Sequence, residues 1–250
     1  MMRLAPGLAV LAIALAGCGS GRSQTPQPQA AATPHPQKYA VLANADNGRD
    51  HKGNIARAYR SLRALGFDER NIFIVSPKDR RDPPSKQTPV STPIPAHFAQ
   101  VMDQLASITR AGDVVVIYGT GHGDTDQDGV FLELRHGRLL PADLRAEVER
   151  LPASVIVVMD QCFSGGFVDA FEGTKSRAIV ISDVDSQHET YCAFFAKTFW
   201  DSFLQDRRTS VRQAFEAALK VHQKELAGDA ELKTDGAYRS FNGFNDATLN

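Results

Sequence analysis

Apolar residues follow two rhythms along this chain. Short unbroken runs read as buried strands: YAVLA at Tyr39–Ala43, NIFIV at Asn71–Val75, DVVVIY at Asp113–Tyr118, VIVVM at Val155–Met159 and RAIVI at Arg177–Ile181. Between them the spacing changes to three and four. Ile55, Ala58, Tyr59, Leu62 and Leu65 predict a helix over Asn54–Leu65, stopped by Gly66. Phe98, Val101, Met102, Leu105 and Ile108 predict another over Ala96–Thr109. Pro141 opens a helix that runs to Leu151. Two more follow near Ala193–Leu204 and Ser210–Leu226. Val130–Leu134 and Arg138–Leu140 form a small hairpin around His136-Gly137, and Pro77–Pro95 is a proline-rich loop. The tail from Thr234 is polar and rich in Gly and Asn, and no element is predicted there.

Continuous apolar strands alternating with helices imply an α/β fold with a mostly parallel sheet covered on both faces. Sites in such folds lie outside the carboxyl ends of the strands. The residues that follow Tyr118 and Met159 are therefore the ones to inspect.

The N-terminus stands apart from this pattern. Met1–Arg3 are a short basic start, and Leu4–Ala16 are apolar but too few to span a bilayer. Residues 1–17 read as a secretory signal peptide. Its end, Leu15-Ala16-Gly17-Cys18, resembles the bacterial lipobox, in which the cysteine is lipidated and begins the mature chain. Residues 18–37 have no apolar periodicity and read as a tether. The folded domain spans 38–228, and 229–250 is a C-terminal tail, packed on the domain or not. The 250 residues carry a net charge of −1, which offers no broad field for nucleic acid. Within the mature domain only Cys162 and Cys192 remain. In an oxidising envelope they could pair, unless one has work that keeps it reduced.

After the third strand the chain reads GTGHGDTDQDG, with His122 between two glycines. After the fourth it reads DQCFSGGF, with Cys162 at the lip of the strand. A thiol attacks only as thiolate, and a nearby histidine can take its proton. Glycines beside both residues let a substrate backbone come close. The amides of Gly123 and Cys162 are candidates for an oxyanion hole.

A strand followed by His-Gly and, forty positions on, a strand followed by Asp160-Gln161-Cys162-Phe163-Ser164-Gly165-Gly166 resembles the caspase-like cysteine peptidases, and most nearly their legumain-like branch. The resemblance runs from about Tyr39 to Leu204. It implies a caspase-like three-layer α/β/α sandwich with a mostly parallel central sheet, Cys162 as nucleophile and His122 as general base and acid. LANADNGRDHKGNIARAY is similar to the family's first strand and loop. By that likeness Asn44, with Asn47 as fallback, orients the histidine. His51 matches a specificity-pocket histidine, with Asp50 where the family has Arg. The segment after the fifth strand builds a pocket wall in the family. Here it carries Asp183, Asp185 and Glu189, which would favour a basic side chain. Phe163 stands where legumains have an acidic residue.

Asp124, Asp126 and Asp128, followed by Gly129, match the first half of a calcium loop, but Arg135 stands where its bidentate Glu belongs. Calcium is thus a candidate that would order the loop carrying His122, while the dyad itself needs no cofactor. The sequence reading is a lipid-anchored cysteine endopeptidase of the bacterial envelope acting on a peptide or protein. Its alternatives are a transamidase or ligase on the same dyad, and a non-catalytic envelope binding protein.

Overall fold

A computed structural model describes residues 35–45, 48–76, 94–191, 193–229, 232 and 234–249. The expectations at Cys18, Asn47 and Cys192, and most of the Pro77–Pro95 loop, lie outside them. The compact unit runs from Pro36 to Asn250. Among the described residues no helix is long and apolar enough to cross a membrane.

The central sheet has six strands: β1 (Lys38–Asn44), β2 (Ile72–Val75), β3 (Val114–Thr120), β7 (Ser154–Asp160), β8 (Ala178–Ser182) and β9 (Tyr238–Phe241). Their order is β2-β1-β3-β7-β8-β9. The first five are parallel, and β9 joins β8 antiparallel. The helices are α1 (Arg49–Ala64), α2 (Ile94–Ile108), α3 (Pro141–Glu149), α4 (Gly165–Ala170), α5 (Ala193–Gln205) and α6 (Val211–Glu225).

Strand alternation sorts the side chains into two cores. Val41, Val115, Ile117, Val155 and Val157 face Phe98, Met102 and Leu105 of α2, Leu144 of α3 and Phe167 of α4. Leu42, Val116, Tyr118, Ile156 and Val158 face Ile55 and Leu62 of α1, Phe199 and Trp200 of α5 and Phe215 of α6. The sheet is thus the middle of three layers, an α/β/α sandwich. Both faces being apolar explains why its strands read as unbroken runs. Ser210 caps α6 in a reciprocal box with Gln213.

Four elements differ from the sequence reading, and one of them is α4, where no helix was expected. The tail expected to carry no element supplies β9, because the edge of β8 gives YRSF a ladder that its own composition does not suggest. The predicted hairpin, β5 (Gly129–Leu134) with β6 (Gly137–Leu139), gains a third strand, β4 (Gly123–Asp126). Helix α1 begins five residues before Asn54, so His51 lies in its first turn.

The direction in which strands are added to the sheet reverses between β1 and β3. From β1 the chain crosses to β2 through α1 on one face, then returns past β1 to β3 through α2 on the other. That is a topological switch point, where the loops at the strand ends splay apart and leave a crevice.

Candidate active site

The crevice is occupied by the residues singled out above. Gly48, Arg49, Asp50 and His51 come from the start of α1, Gly121 and His122 from the end of β3, Cys162 from the turn after β7, and Thr190 and Tyr191 from the segment after β8. Together they line a cleft of about 260 Å³. β3 and β7 are in register neighbours, Thr120 opposite Asp160, so His122 and Cys162 leave the sheet side by side.

The turn that carries Cys162 is held tightly. Phe163 adopts a left-handed backbone, φ 59°, which costs a bulky residue of order 1 kcal/mol. Its amide donates to the His188 carbonyl at 3.0 Å. Ser164 donates to Asp183 Oδ1 at 2.7 Å. A Cβ on Gly165 would press into the Asp185 backbone, so glycine is required there. These ties aim the Cys162 side chain at the cleft while α4 departs behind it.

The Thr190 peptide clasps the thiol. Cys162 Sγ lies 3.4 Å from the Thr190 carbonyl oxygen, and the Thr190 amide approaches the sulfur at 3.5 Å. Burial pushes the thiol pKa up, the Thr190 amide opposes this, and the charge of Glu189 adds to the rise. Cys162 therefore rests as a thiol, and any reaction as a nucleophile would require a base to take its proton.

Gly123 lies against the same turn. Glu133 N–H donates to the His122 carbonyl, which makes Gly123 and Leu132 a non-hydrogen-bonded pair of the β4–β5 ladder. The Gly123 N–H therefore points away from β5. A Cβ at Gly123 would collide with the Cys162 carbonyl. The two amides proposed for an oxyanion hole thus belong to backbones in van der Waals contact.

His51 joins the cleft as a second imidazole. Its ring meets that of His122 edge to face, centroids 5.6 Å apart. His51 Nδ1 lies 2.9 Å from Thr120 Oγ1. The Thr120 hydroxyl donates its one proton to Asp160 Oδ2 at 3.2 Å, so its oxygen accepts from His51 Nδ1–H. Tyr118 and Asn54 also donate to Asp160 Oδ2, at 2.7 and 3.2 Å.

The acidic segment is arranged differently from its sequence reading. Asp183, expected on a pocket wall, is fully buried. It continues the β8 alternation inward and pairs with Asp160. Burial and the Asp160 charge push its pKa well up, so Asp183 holds a proton and gives a hydrogen bond to Asp160, whose own pKa burial also raises. Asp185 is engaged by His188 Nδ1 at 2.8 Å and by the Gln187 amide. Glu189 is exposed. None of the three lines the cleft, whose acidic member is Asp50, bonded to the Tyr191 hydroxyl at 3.2 Å. Asn44, the expected orienter of the histidine, is buried and donates to Ser76 Oγ at 3.1 Å.

Asp124, Asp126 and Asp128 fall on β4 and its turn. Arg138 of β6 pairs with both Asp126 and Asp128, and Asp124 accepts from the Thr125 amide. Among the described residues no group of three or more His, Cys, Asp or Glu is placed to hold a metal ion. Thr190 and Tyr191 belong to the segment that the likeness to legumains, through Glu189-Thr190-Tyr191, made a pocket wall, and both line the cleft. The sequence reading missed Thr120 and His222. Each is an ordinary residue type whose role comes from tertiary placement.

No family model and no curated protein matches the chain. Among solved structures it is similar to protein GSU0716 from Geobacter sulfurreducens. The match has 14% identity and a TM-score of 0.53, over 84% of this chain and 99% of that one. A likeness at that identity is a likeness of fold.

Proposed function

We propose that the protein is a cysteine endopeptidase acting through Cys162 and His122. The observation that carries this reading is that both residues line one cleft at the switch point of the sheet. A thiol, an imidazole and two close backbone amides are what acyl transfer requires.

His122 takes the Cys162 proton as the sulfur attacks the scissile carbonyl. The Gly123 and Cys162 amides receive the negative charge that develops on its oxygen. His122 then returns the proton to the departing amine, leaving a thioester. Water, deprotonated by the same imidazole, adds to the thioester and expels the thiolate. The resting thiol is neutral, so sulfur deprotonation and attack are coupled.

The lipobox-like Cys18 and the tether behind it support action at the bacterial envelope, on peptides or proteins there. Peptide-library cleavage tests the assignment. Wild type cleaves, Cys162→Ala does not, and His122→Ala retains at most about one part in a thousand. Equal cleavage by wild type and a folded Cys162→Ala protein would remove the enzyme reading.

A further inference from the structure

Thr190 meets the thiol with its peptide and a buried histidine with its side chain. His222 sits on α6, shielded from solvent. Its Nε2 is 3.0 Å from Thr190 Oγ1. Phe195 of α5 packs beside it, ring centroids 6.2 Å apart. Burial pulls the His222 pKa down to about 4 against an opposing pull from the Tyr191 carbonyl, and no charged group contributes. At neutral pH the imidazole is therefore uncharged. With its hydrogen on Nδ1, its Nε2 accepts the Thr190 hydroxyl proton.

We propose that His222 is a positioning residue for the nucleophile: it anchors the Thr190 hydroxyl and so holds the Thr190 peptide against Cys162 Sγ. This rests on Cys162 being the reacting thiol of the function proposed above. The Thr190 segment follows β8 and has no ladder of its own at this point, so an anchor from outside the sheet fixes it. Through that anchor the Thr190 carbonyl receives the S–H in the resting state. The Thr190 amide reaches the sulfur as the thiolate forms, which makes the thiolate easier to generate. The ionisable groups acting on the sulfur from the neighbouring segments are Asp183 and Glu189, and His51 and His122 share its cleft.

The test reads the thiol directly and does not require peptide cleavage. Iodoacetamide labelling of the full chain is followed against pH, with modification at Cys162 quantified by peptide mapping. Thr190→Val removes one hydroxyl and keeps the shape. It should slow labelling of Cys162 at pH 7 by about 5-fold and move the midpoint of the pH profile upward. His222→Phe should do the same, and the double variant should be no slower than either single one. His222→Gln, whose amide oxygen reaches the Nε2 position, should restore the profile, whereas His222→Asn should not. A merely structural His222 would give Gln and Asn variants that differ from wild type in thermal midpoint but not in labelling profile. A Thr190→Val profile within about two-fold of wild type at every pH overturns the proposal, whether or not His222→Phe folds. So does an additive double variant. Normal shifts in labelling with no peptide cleaved by any form would sink the peptidase reading and leave this one standing.

Discussion

The α-carbon of Gly123 rests against the carbonyl oxygen of Cys162, with no room for a side chain between them. The loop that carries His122 and the turn that carries Cys162 are thus set by one backbone contact. Gly123→Ala should separate them by a fraction of an ångström to an ångström. Displacements of that size near reacting groups cost about 100-fold in kcat/KM. Steady-state kinetics on a substrate of the wild-type protein would show the loss, and a Gly123→Ala enzyme at full rate would exclude the Gly123 amide from catalysis.

Asp160 and Asp183 share a proton inside the fold, and this gives stability a pH dependence of known sign. Burial raises the Asp160 pKa to about 7, and that of Asp183 well above the ordinary carboxyl range. The folded protein keeps protons that the unfolded chain releases above about pH 4. The pair's contribution is therefore fully present below that pH and is lost as pH rises through about 7. Asp183→Asn supplies a permanent N–H to Asp160 and keeps the acceptor for Ser164. Its melting temperature relative to wild type should rise by roughly 5 °C between pH 5 and pH 8. A gap that stays constant with pH would show that no proton is shared.

His222 has the opposite sign. Its pKa falls from 6.5 to about 4 on folding. Its contribution is present above pH 6.5 and is lost as pH falls toward 4, because the unfolded chain takes up the proton first. Between pH 7.5 and 5 the wild type should lose about 2 kcal/mol relative to His222→Gln. Urea unfolding of both proteins at the two pH values gives that difference. Parallel stability curves would mean that the ring is solvated or already charged.

Cys18 lies outside the described residues, and its role is open to fractionation. If lipid at Cys18 is the anchor, Cys18→Ser protein with its signal processed should leave the membrane fraction. Retention of the processed variant on membranes after a salt wash would reject the lipobox.

Much of this fold was legible because the sheet is buried on both faces. Runs such as DVVVIY and VIVVM need no partner to declare themselves, and the 3.6-residue spacing of Ile55, Ala58 and Leu62 declares a helix. β4 and β9 were not legible. GDTD and YRSF have no apolar period, and each becomes a strand only because a neighbour offers a ladder. The site divides in the same way. Cys162 and His122 were visible from residue type and from strand-end position, and His51 from the likeness to the family's first strand and loop. Asp183 misled because a carboxylate in an acidic stretch reads as solvated. Its burial depends on Asp160, which is remote in sequence and supplies the partner for its proton. Thr190 was legible only as part of a pocket-wall segment, and its tie to His222 carries no signal until α6 is packed behind the segment after β8.

The order of the strands also governs when chemistry first becomes possible. The Gln37 amide bonds to the Asp113 carboxylate 76 positions further along the chain. β1 cannot be completed until β3 has been made. The cleft draws on chain from Gly48 to Tyr191, so no stretch short of most of the domain contains a working site. Parallel pairings over such distances form slowly. Until they close, the sulfur has no imidazole beside it and no amides to receive an oxyanion. During refolding, helical signal should therefore return before reactivity at Cys162. The lag between the two measures how long the chain exists folded in part but without an assembled cleft.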